Sequence, residues 1–67
     1  MTYRAELDGF RGHFNTVAEL KAWALALDAT YGLKGKVCNI WQATWVARDG
    51  SGASYNAVPT RSIVVGA

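Results

Sequence analysis

Between Thr16 and Gly32 the sequence TVAELKAWALALDATYG carries both the start and the stop of one helix, and no other segment of the chain repeats that pattern. TVAE is a capping box, in which the Thr16 hydroxyl accepts from the backbone N–H of Glu19 while the Glu19 side chain reaches back to Thr16. A helix is therefore expected from residue 17 to residue 30 or 31. Leu20, Trp23 or Ala24, Leu27 and Tyr31 recur at three- and four-residue spacing, while Glu19, Lys21 and Asp28 can reach water from the stripe's edges. Gly32 suits the left-handed position that closes a helix. A lone helix cannot bury its stripe by itself, so the rest of the chain must supply the opposing layer.

That layer reads as strands. TYRAEL alternates Tyr3, Ala5 and Leu7 with Thr2, Arg4 and Glu6, the period of a strand with one buried face. Asp8-Gly9 marks a turn, after which FRGHFN returns as a short, poorly defined strand or runs across to the helix. Residues 36–47, with Val, Ile, Thr and two Trp between glycine-rich flanks, form a long strand. DGSG at 49–52 is a hairpin loop, ASYNAV a partner strand, Pro59 a break and SIVVG a last strand. The expected architecture is an α+β fold, a single α-helix packed on one face of a four- or five-stranded antiparallel sheet, with residues 1–67 as one domain.

Sixty-seven residues leave room for a single core worth only about 3–5 kcal/mol of net stability. With one cysteine, Cys38, and one histidine, His13, neither an internal disulfide nor a Cys/His zinc cluster can assemble. Hydrophobic residues at 51% and charged ones at 18% place the chain among folded domains. No signal peptide is expected, and the longest apolar run, 22–27, is too short to cross a bilayer. With a lone thiol, a reducing, cytoplasmic location is the expectation.

In a regular strand over 36–47, Val37, Asn39, Trp41, Ala43, Trp45 and Ala47 share one face, and Lys36, Cys38, Ile40, Gln42, Thr44 and Val46 the other. The tryptophan face is bulkier, and the helix carries five alanines, so at least one of the two rings is expected in the core beneath a thin helix surface. A helix of about 14 residues covers one side of such a sheet. The far side, holding Cys38, Ile40, Val46 and part of the last strand, is then bare and apolar, which points to an interface.

Few residues offer chemistry. Nothing in the spacing brings Cys38, His13 and a carboxylate together for nucleophilic catalysis, and Glu6 and Asp8 read as solvated charges near a turn. GSG in the 49–52 loop precedes no helix and so lacks a phosphate cradle. No catalytic, cofactor or metal residue is assigned, and no enzyme activity is expected. Two further classes are self-association and nucleic-acid binding. In the second, Trp41, Trp45 or Tyr55 would stack on bases and Lys34, Lys36, Arg48 and Arg61 would meet phosphates, although a net charge of +2 is modest.

The N-terminal strand TYRAEL, the alanine-rich helix TVAELKAWALALDATYG and the strand-rich tail KVCNIWQATWVARDGSGASYNAV together resemble small phage-encoded proteins that inhibit type I CRISPR complexes. The similarity is one of element order and size over most of the chain, so no functional residue is carried over. It implies a non-catalytic blocker of a bacterial defence protein. The expected contacts are exposed residues around the sheet and hairpin, chiefly Ile40, Gln42, Arg48, Tyr55 and Arg61.

Overall fold

The computed structural model describes residues 2–66. Its elements are β1 (Tyr3–Leu7), β2 (Phe10–Phe14), α1 (Val17–Tyr31), β3 (Val37–Val46), β4 (Ala53–Tyr55) and β5 (Arg61–Val64). They make an α+β fold in which the helix packs with a five-stranded antiparallel sheet of order β2-β1-β3-β4, with β5 also paired to β3. No helix among the described residues is long and apolar enough to cross a membrane.

Local chemistry explains the first elements. Asp8 and Gly9 both have positive φ, 50° and 86°, the two-residue turn whose twist suits a hairpin. β2 is therefore not poorly defined: all five of its residues pair with β1. Thr16 caps the helix as predicted, its Oγ1 accepting from Glu19 N at 3.2 Å. The reciprocal arm differs, because the Glu19 carboxylate accepts from the N–H of Asn15 at 3.3 Å and closes the box one residue further out. Gly32 ends the helix in the left-handed region and donates to Asp28 O at 2.8 Å.

The core joins Ala5 and Leu7 of β1, Cys38 and Ile40 of β3, Leu20 and Ala24 of α1, and the flanking Leu33 and Val65. Register sets Cys38 between Leu7 and Ile63, and Ile40 between Ala5 and Arg61. The helix thus covers the opposite face of β3 from the one expected: Cys38 and Ile40 lie beneath it, and Val37, Asn39 and Trp41 point away. The reason lies in where the large rings sit. The helix runs over β2 and β1, where Phe14 meets Trp23 at 5.2 Å and Phe10 meets Tyr31 at 4.8 Å between ring centroids. Those aromatic pairs fill the bulky layer, so β3 contributes only compact side chains there. Four of the five helix alanines face outward, and only Ala24 is buried. Gly12 permits the arrangement, since a Cβ at that position would lie 2.5 Å from the Phe14 ring.

The two β3 tryptophans part company at a bulge. Ala43 pairs with Tyr55 and Trp45 with Ser54, leaving Thr44 as an extra residue whose hydroxyl donates to Ser54 O at 3.1 Å. Tyr55 and Ser54 are consecutive and point to opposite faces, so their partners do too. Trp41 lies on the face away from the helix at 8% exposure, and Trp45 on the helix side, beyond the helix, at 60%. The strand expected over 53–58 shortens to Ala53–Tyr55. Thr60 then ties the following loop back to β3, its N–H donating to Ile40 O at 2.8 Å and its hydroxyl accepting from Gln42 N at 3.0 Å.

Candidate binding surfaces

The face away from the helix is neither bare nor wholly apolar. Cross-strand pairing sets His13 of β2 beside Arg4 of β1 and Arg4 beside Trp41 of β3. The Arg4 guanidinium carbon lies 4.5 Å from the Trp41 ring centroid and 5.1 Å from that of Tyr55 on β4. His13 and Tyr55 belong to strands three spacings apart, about 14 Å in a flat sheet, yet their ring centroids are 6.1 Å apart. The bulge in β3 accounts for this closure by bending the β3–β4 hairpin across the face, so that Gly50, Gly52 and Ala53 line a recess with His13 and Tyr55. Glu6 and Arg11, paired at 3.3 Å, continue the polar centre. Among the described strand residues, exposed apolar surface on this face lies toward the ends, at the Val37–Val64 pair and at Val46.

Uncovered apolar surface appears instead on the helix side. Because α1 sits over β2 and β1, a groove of about 440 Å³ opens between it and β5, lined by Lys21, Ala24 and Leu25 from the helix and by residues 63–66. Leu25 is 57% exposed, and it stands outside the Leu20–Ala24–Leu27 stripe. β5 pairs with β3 alone, so its outer edge has no strand neighbour among the described residues.

The five contact residues expected from the sequence do not form one site. Ile40 lies on the helix face of β3 and packs in the core at 1% exposure. Gln42 and Arg61 are exposed and share with Ile40 a small recess on the helix side that Tyr3 and Thr60 complete. Tyr55 lies on the opposite face against Arg4, and Arg48 is exposed at the hairpin after β3. Arg4, His13 and Leu25 were absent from that expectation. The first two depend on strand register, whereas Leu25 was visible as an apolar residue out of phase with the helix stripe.

The cysteine and the histidine lie on opposite faces of the sheet. Cys38 is on the helix face and His13 on the other, and burial pushes the Cys38 thiol above its ordinary 9.0, holding it protonated. Among the described residues no three His, Cys, Asp or Glu side chains converge as metal ligands. Asp49 is engaged in its own loop, where the Ser51 hydroxyl, and with it Ser51 N donating to Oδ1 at 3.0 Å, holds the carboxyl below its usual range. Of the rings weighed for base stacking, Trp41 is closed off by burial and Trp45 is 60% exposed, and Lys34, Lys36, Arg48 and Arg61 are all exposed. Comparison with protein-family models, with curated proteins and with solved structures returned no match.

Proposed function

We propose that this is a non-enzymatic protein that acts by docking on, and occluding, a surface of a protein partner, with the groove between α1 and β5 as its apolar contact. The observation that carries this reading is Leu25, exposed beside Ile63 and Val65 in a groove that ends at a strand edge with no strand neighbour among the described residues. Apolar surface flanked by open backbone groups favours a protein segment over a polyanion. The resemblance noted in the sequence would make the partner a component of a bacterial defence complex.

A capture experiment from bacterial lysate tests it. A partner retained by the unaltered protein should be lost at least about tenfold on Leu25→Glu, since a charge would have to be desolvated at the contact. Val58→Glu, at a more exposed apolar residue outside the groove, should leave capture intact. Both variants should keep the parental melting temperature. Capture indifferent to Leu25→Glu would remove the groove from the reading, and a mass by light scattering that rises with concentration would replace the partner with a second copy of this chain.

A further inference from the structure

The face away from the helix carries a second, chemically distinct surface. Beside Arg4, a recess of about 270 Å³ is lined by Arg4, Ala5, Glu6, Arg11 and His13. Arg4 is half-buried and held by two aromatic rings, Trp41 and Tyr55. A guanidinium stacked on rings keeps its N–H donors in its own plane, directed past the rings, with much of its rotamer freedom already lost. Among the described residues no carboxylate or carbonyl accepts from it: Glu6, the one acid in the recess, is bonded to Arg11. Beneath it, the buried Trp41 Nε1 also lacks an acceptor. Donors therefore exceed acceptors at this spot, in the direction that an anionic oxygen would answer.

The charge count narrows the class. Two arginines and one carboxylate line the recess, which leaves one positive charge and one unused planar fork. That matches a single carboxylate, flat and singly charged, which accepts two parallel N–H bonds from one guanidinium. A run of phosphates asks for several free cations, and among the described residues that line the recess Arg4 alone is outside an ion pair.

We propose that the recess is a carboxylate-binding site in which Arg4 is the receptor, Trp41 and Tyr55 hold it flat, and His13 forms the wall. This is separate from the α1–β5 groove and stands or falls independently of it. The test is a proton–nitrogen NMR titration of the unaltered protein, following the Arg4 Nε–H and Trp41 Nε1–H signals. Two carboxylate probes, sodium acetate and a blocked Gly-Glu-Gly peptide, separate a free acid from an acidic side chain, and inorganic phosphate is the comparator. Saturable shifts at Arg4 with either carboxylate support the site, and the tighter of the two identifies the source. Arg4→Lys, which keeps the charge and stem but loses the fork, should weaken binding by about tenfold or more. Shifts at Arg4 that rise without saturation, as at exposed Arg48 and Arg61, would overturn the proposal. So would tighter binding of phosphate than of carboxylate, or undiminished binding in Arg4→Lys.

Discussion

The two faces of this sheet are closed by different means. Under the helix, aliphatic side chains of β1 and β3 lie against Leu20 and Ala24, with ring-on-ring pairs along β2. On the other face no helix lies among the described residues, yet Trp41 is as enclosed as a core residue, beneath the Arg4 guanidinium that also reaches the Tyr55 ring. A chain of this length has little to spend on a second layer. Bending one strand at a bulge and laying an arginine guanidinium over the ring covers that face with residues already in the sheet. Counting helices therefore misjudges how much of a sheet is open, and the leftover apolar surface falls beside the helix, where its off-centre seat leaves β5 uncovered.

The largest test of this contrast uses the two tryptophans of β3. Trp41→Ala should cost about 3–5 kcal/mol, the range for an enclosed aromatic, and so remove most of the net stability available to so small a core. Trp45→Ala should change stability by about 0.5 kcal/mol or less, as for other exposed positions. Urea unfolding followed by circular dichroism measures both. Similar losses for the two would mean that both rings share one core, and the distinction between the faces would collapse.

Much of the fold was legible in local signals. Thr16, Glu19 and Gly32 bound the helix through caps that depend on neighbours in the chain, and Asp8-Gly9 fixes the first hairpin through two positive φ angles. What escaped was non-local. The face that β3 turns to the helix depends on which strand carries the large rings, and Phe10 and Phe14 of β2 take that place. Thr44 reverses Trp45 relative to Trp41 only because β4 pairs around it, and no residue type at 43–45 announces a bulge. The candidate surfaces follow the same division: Leu25 breaks a helical period and could be found by eye, whereas Arg4 over Trp41 required the register of β1 on β3.

A smaller effect separates the faces by pH. Cys38 is enclosed on the helix side, and desolvation raises its thiol above 9.0. Between that value and the higher folded one, the native thiol keeps its proton while the unfolded thiol has lost it, so the native state binds more protons. Stability present in full below pH 9.0 is then lost as the pH climbs toward the folded value, by up to about 1.4 kcal/mol per pH unit. Comparing the parent with Cys38→Ala across this range isolates the contribution, because the lysines and tyrosines are common to both. Parallel alkaline curves would show that water reaches the thiol and that the helix face is less closed than its packing indicates.

The smallest effect is expected at the ion pair on the other face. Arg11 and Glu6 meet at 3.3 Å, with side chains 75% and 41% exposed, so solvent screens most of their attraction. Glu6→Gln should cost less than about 0.5 kcal/mol, and the difference should vanish in about 1 M NaCl, where charges are screened within a few ångströms. The value of this substitution lies in what a larger loss would mean. If Glu6→Gln cost more than about 1 kcal/mol and the loss persisted in salt, Glu6 would be holding more than an exposed arginine. The nearest candidate in the same recess is Arg4, on the same strand and face. Arg4 would then be a paired structural cation, the Trp41 cover would rest on an ion pair instead of on ring faces, and no free fork would remain for an incoming carboxylate.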